Sequence, residues 1–134
     1  MKTVILIATM LLSFAFARAQ SADYFLKNGD LMVRKGNTTS TFQSSRNVEI
    51  IDFAEGELNG QYYLIYWKSN GESKICTIND SGKWSNQSDF RCRCGKNISK
   101  IKFFDSQTLI ITCADGKRYK KTITPNGGST ESNY

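Results

Sequence analysis

Between Ile98 and Thr124 the chain reads strand, turn, strand, Asp-Gly turn, strand. Thr108 to Cys113 is rich in Thr and Ile, β-branched side chains that fit a pleated, half-buried surface. Asp115-Gly116 supplies the positive φ of a tight hairpin, and Lys117 to Ile123 returns. The same pattern stands 45 residues earlier without a gap. Leu64 and Leu109, Ile65 and Ile110, Gly71 and Gly116, Thr77 and Thr122, Ile78 and Ile123, and Gly82 and Gly127 coincide, six identities in nineteen aligned positions. Asn70-Gly71 occupies the place of Asp115-Gly116. A repeated hairpin unit restricts the chain to antiparallel architectures.

A third, weaker copy is legible in Tyr24 to Leu26, Asn28-Gly29 and Leu31 to Val33. Val48 to Phe53 is a further strand, Gly36 to Ser45 a Ser/Thr-rich loop anchored by Phe42, and Asp80 to Phe90 a turn-rich run around Trp84. No helical periodicity of useful length follows residue 19. The expectation is one all-β domain over residues 20–124, a compact antiparallel β-sandwich or small barrel of about eight or nine strands with two disulfides, then a flexible tail over 125–134. The alternative is a set of propeller-like blade repeats completed by oligomerisation, since a blade has a similar period.

Gln61 to Lys68, QYYLIYWK, is apolar on both faces. Period two sends Tyr62, Leu64 and Tyr66 one way and Tyr63, Ile65 and Trp67 the other. Either this strand is central and covered on both sides, or one aromatic face is a platform for sugars or bases. Trp84 has the same two readings, as a plug over the core or as a ligand contact.

Residues 1–19 carry Lys2, an apolar run from Val4 to Phe16, and Ala17-Arg18-Ala19 before Gln20. That run is too short to span a bilayer and has the layout of a secretory signal peptide. The expected protein is therefore secreted or periplasmic, has no membrane span, and holds a mature chain large enough for one core. Asn37, Asn79, Asn86 and Asn97 begin Asn-x-Ser/Thr sequons, all placed in loops or at strand ends, and are candidate glycosylation sites.

Charge is distributed unevenly. Residues 91–121 hold nine basic and two acidic side chains, a net of +7, whereas residues 20–90 hold seven and nine, a net of −2. Such asymmetry suits anionic partners, and a Lys-rich strand face kept soluble by its charge has the same composition.

Cys76, Cys92, Cys94 and Cys113 are an even set in a chain expected to be exported, so disulfides are the default. Cys92 and Cys94 are too close in sequence to bridge each other without strain, so each is expected to reach separately for Cys76 or Cys113, in either pairing. Such bridges would place Arg91 and Arg93 on the face opposite the sulfurs. A soft-metal site at Cys-x-Cys is the competing reading, and the absence of His leaves it without a common ligand. The same absence excludes a Ser-His-Asp triad, a Cys-His dyad and a His-ligated zinc. For catalysis there remain a Lys-activated hydroxyl and a carboxylate pair drawn from Glu49, Asp52, Glu55 and Glu57, residues that also suit solvated loop positions.

The resulting expectation is a non-enzymatic binding protein without metal or cofactor. Arg91, Arg93, Lys96, Arg118 and Lys120 would form a basic strand face for an anionic glycan or other polyanion, with Trp67 or Trp84 for stacking. The alternatives are an inhibitor or effector that docks on a protein partner, an acid-pair hydrolase with Glu55 and Glu57, and a structural matrix component.

Overall fold

The computed structural model describes residues 22–134, and the export segment read over residues 1–19 lies outside the described residues. Eleven strands and no helix occupy the described residues, in three antiparallel sheets. The first sheet contains β1 (Ala22–Lys27), β2 (Asp30–Lys35) and β3 (Thr38–Gln43). The second contains β4 (Ile50–Leu58), β5 (Gln61–Lys68), β6 (Ser73–Ile78) and β7 (Trp84–Asp89). The third contains β8 (Ile98–Phe103), β9 (Thr108–Cys113), β10 (Arg118–Ile123) and β11 (Ser129–Asn133). Each sheet is a meander in which every strand pairs with its neighbour in sequence, and β4 lies beside β8. Among the described residues no helix is long and apolar enough to cross a membrane.

The 45-residue repeat is the second and third sheets. Its turns are the same object twice. Gly71 N–H donates to Lys68 O at 2.9 Å and Lys68 N–H to Glu72 O at 2.8 Å; Gly116 N–H donates to Cys113 O at 3.0 Å and Cys113 N–H to Lys117 O at 2.8 Å. Gly71 and Gly116 close these three-residue loops at φ 87° and 89°, a region that a Cβ disfavours. The next pair matches as well, with Asn79 N–H to Lys83 O at 2.9 Å and Thr124 N–H to Gly128 O at 2.8 Å. The second turn of that pair launches β11, so residues 129–133, expected to be part of a flexible tail, are a strand hydrogen-bonded to β10.

The strand count exceeds the expected eight or nine because three segments read as loop or tail are strands: β3, β7 and β11. All three are sheet edges composed largely of Ser, Thr, Asn and Gln. Polar edge strands lack the apolar alternation by which strands are recognised, and they discourage pairing with other chains.

The second sheet is covered on both faces. From β5, Ile65 and Trp67 enter a cluster with Leu58 of the second sheet, Phe90 just past it, and Ile98, Ile101, Leu109 and Ile111 of the third sheet. Leu64 and Tyr66 turn the other way, onto Leu31, Val33, Phe42, Ile50 and Cys76. This gives the doubly buried reading of QYYLIYWK, and Trp67, at 3 % exposure, is core and not a stacking platform. Phe42 is buried and meets the Tyr24 ring edge-on at 5.3 Å.

One disulfide is formed, Cys94 to Cys113, where two were expected, and Cys76 and Cys92 are thiols. The reason is topological. Cys76 is fully buried in the cluster toward the first sheet, whereas Cys92 packs against the cluster toward the third. Nor is Arg91 to Lys96 a strand. Gly95 N–H donates to Cys92 O and Asn97 N–H to Cys94 O, so consecutive turns replace the expected alternation of Arg and Cys across two faces.

Candidate functional site

The third sheet presents its two faces to different surroundings. On β8 Ile101, on β9 Leu109, Ile111 and Cys113, and on β10 Tyr119 and Ile123 face the apolar cluster. Pairing then fixes the opposite face. Lys100 is opposite Thr112, which is opposite Arg118; Lys102 is opposite Ile110, which is opposite Lys120, which is opposite Ser132. Adjacent strands lie about 4.8 Å apart and residues two apart about 7 Å, so the four cations stand at the corners of a rectangle of roughly 7 by 10 Å.

None of Lys100, Lys102, Arg118 and Lys120 makes an ion pair among the described residues. Ile110, between Lys102 and Lys120, is only 4 % exposed although it lies on this outer face. Lysine stems can lie along apolar side chains while the ammonium groups stay in water, and Ile110 is paired with a lysine on each side. The Arg118 guanidinium lies 4.5 Å from the Tyr134 ring centre, and Tyr134 N–H donates to Arg118 O at 3.1 Å. A cation held over a ring keeps its charge and loses freedom.

The nearby acids sit at the two ends of the face and are committed to their turns. Asp105, after β8, accepts Gln107 N–H at 2.9 Å, and Asp115, after β9, accepts Lys117 N–H at 3.0 Å. The backbone hydrogen bond from Gln107 is the largest cause holding the Asp105 carboxyl below the usual carboxylate range. Glu131 belongs to the other face, where it pairs with Lys121 at 3.3 Å and Arg93 at 3.6 Å.

The five expected cations therefore divide three ways. Arg118 and Lys120 share the outer face of the third sheet. Arg93 is tied to the last strand: its guanidinium donates to Glu131 O at 3.1 Å and lies 5.6 Å from the Tyr119 ring centre. Arg91 and Lys96 line a cleft of about 660 Å³ together with Glu72, Lys74, Asp89 and Cys92. There Lys74 meets Asp89 at 2.6 Å and Glu72 at 3.4 Å, so acids offset much of the positive charge. Burial pushes the Cys92 thiol up, away from the thiolate a nucleophile or metal ligand needs. No group of three or more His, Cys, Asp or Glu among the described residues could hold a metal ion.

The remaining candidates are scattered. Trp84 is 44 % exposed on β7, the edge strand of the second sheet. Asn37, Asn79, Asn86 and Asn97 are all exposed, and the Asn79 side-chain oxygen accepts Ser81 N–H at 3.0 Å and Lys83 N–H at 3.2 Å within its own turn. Glu55 accepts the Tyr62 hydroxyl at 3.0 Å, and burial raises its pKa above the usual carboxylate value.

Lys100 and Lys102 were absent from the expected site. The signal for them was present in Ser99 to Lys102, where apolar Ile101 between two lysines mirrors Tyr119 between Arg118 and Lys120. No known protein-family model matches this chain, and a search of curated proteins gives no match.

Proposed function

We propose that the protein is a secreted, non-enzymatic binding protein that recognises an anionic ligand through the β8–β9–β10 face. The supporting observation is the set of four cations on one sheet face, unpaired among the described residues, with the adjacent acids held in turns at its ends. A fixed array of like charges costs folding free energy that complementary anions relieve on binding. The two apolar clusters flanking the second sheet support a layered, sandwich-type packing that holds the face flat.

Retention on sulfated and phosphorylated matrices, measured at increasing salt, tests this reading. About four released counterions should weaken binding on the order of a hundredfold between about 50 mM and about 200 mM salt. Joint replacement of Lys100, Lys102, Arg118 and Lys120 by Ala should abolish retention, while joint Arg91→Ala and Lys96→Ala should leave it within about twofold. Retention indifferent to salt, or to the fourfold replacement, would sink the reading.

A second reading, an effector that docks on a protein partner, draws on Ile51 on β4 and Phe104 just past β8, exposed at 47 % and 50 %. A stoichiometric protein partner held at high salt and lost in Phe104→Ser would favour it.

A further inference from the structure

We infer that the anion this face selects is a sulfated or carboxylated polysaccharide chain, lying across the strands and not along them. This rests on the anion-binding reading above and specifies its ligand. Three features carry it.

The first is what lies between the cations. In register with them the face offers Thr112 and Ser132, and β10 and β11 add Thr122 and Thr130 by the same alternation. Hydroxyls at these positions can exchange hydrogen bonds with sugar hydroxyls and with sulfate or carboxylate oxygens. A saccharide presents both kinds of group along its length.

The second is what is missing from the strands themselves. No aromatic side chain occurs at the outward positions of β8, β9 or β10, which are Lys100, Lys102, Thr108, Ile110, Thr112, Arg118, Lys120 and Thr122. Single-stranded nucleic acid draws much of its affinity from base stacking on aromatic rings, and here rings stand only at the margins: Tyr134, with Arg118 already over it, and Phe104, just past the end of β8. The phosphates of an oligonucleotide would gain the charge term alone.

The third is the position of the acids. Asp105 and Asp115 stand at opposite ends of β9, so an anionic chain running along that strand meets a carboxylate at each end. A chain crossing from β8 toward β11 meets Lys102 and Lys120 and then Ser132, or Lys100 and Arg118 and then the Tyr134 ring. Repulsion from the turns thus sets the direction of the footprint.

The experiment compares size-graded sulfated oligosaccharides with single-stranded oligonucleotides of equal charge, by calorimetry or fluorescence at low and moderate salt, using the folded protein and Asp115→Asn. Asn preserves the turn acceptor, as Asn70 does in the equivalent hairpin, where its side-chain oxygen accepts Glu72 N–H at 3.0 Å. The expected result is salt-sensitive glycan binding about tenfold or more tighter than oligonucleotide binding, and about twofold tighter glycan binding at low salt in Asp115→Asn from loss of one repelling charge. Oligonucleotides binding as tightly as glycans would overturn the glycan inference and leave the anion-binding reading intact. Absence of binding to either class at low salt would overturn both.

Discussion

Cys94 and Cys76 occupy the two apolar clusters that flank the second sheet, and only the first is bonded. Toward the third sheet the cluster is closed covalently by Cys94–Cys113 and electrostatically by Lys121–Glu131, side chains only 12 % and 14 % exposed. Toward the first sheet the closure is aromatic and neutral. Tyr24 packs on Phe42 and donates to Gly82 O at 2.8 Å, and Gln87 donates to the Tyr66 hydroxyl. The difference follows from what each outer sheet carries on its far side. The third sheet bears cations on alternate strands, and their mutual repulsion opposes its formation. A covalent tie and a largely buried ion pair offset that cost. The first sheet carries no such array and is held by burial and by hydrogen bonds from Tyr24 to Gly82 O and from Lys35 Nζ to Asp80 O.

The largest expected effect comes from the residue on which the tied side depends. Trp67→Ala should destabilise by about 3 to 5 kcal/mol, read as a shift in the denaturant midpoint, because a large buried side chain leaves a cavity. Next, replacing Cys94 and Cys113 together by Ala should cost about 3 kcal/mol, as expected for opening a loop of 19-residue separation. If the bridge offsets the basic face, neutralising Lys102 and Lys120 in that background should recover part of the loss. No recovery would break the comparison.

On the untied side, Cys76→Ser should cost about 2 kcal/mol by placing a hydroxyl in an apolar cluster, while Cys76→Ala should cost less. Burial pushes the Cys76 thiol up to about 12, so it should resist alkylation in the folded protein, whereas the half-buried Cys92 reacts first. Glu131→Gln, which leaves Lys121 and Arg93 without their carboxylate, should cost about 1 to 2 kcal/mol, and this effect should shrink with added salt.

The smallest effect is on the pH profile. Burial raises Glu55, so the folded state holds that proton more tightly, and its stabilising contribution is present below the ordinary carboxylate range and lost as pH rises through the raised value. The backbone hydrogen bond from Ser45 lowers Asp30, so its contribution is present above that range and lost as pH falls. Denaturation midpoints between about pH 3 and about pH 7 should show Glu55→Gln gaining on the parent as pH rises, and Asp30→Asn losing. Parallel profiles for all three proteins would refute both assignments.

Much of this architecture was legible before any coordinates, because hairpins write themselves into sequence at short range. Gly71 with Gly116, Gly82 with Gly127, and the two-faced β5 all stand where the 45-residue offset and period two place them. The offset held more than was taken from it. Applied to Trp84–Asp89 it predicts a strand at 129–134, and β11 is there; a polar edge strand simply shows no apolar alternation to announce itself. The sulfur pairing was not legible, since it depends on which face of the second sheet each thiol enters. The site was half legible. Arg118 and Lys120 could be assigned to one face by alternation, but their union with Lys100 and Lys102 depends on β9 lying between β8 and β10.

The meander order of the three sheets has a consequence for how the chain is made. No strand waits for a distant segment to complete its own ladder: residues 22–43, 50–89 and 98–133 each contain a whole sheet. Short loop closures of this kind are entropically cheap and kinetically fast. A chain emerging from its N-terminus can therefore lay down one sheet at a time, with each apolar face left uncovered only until the next sheet arrives.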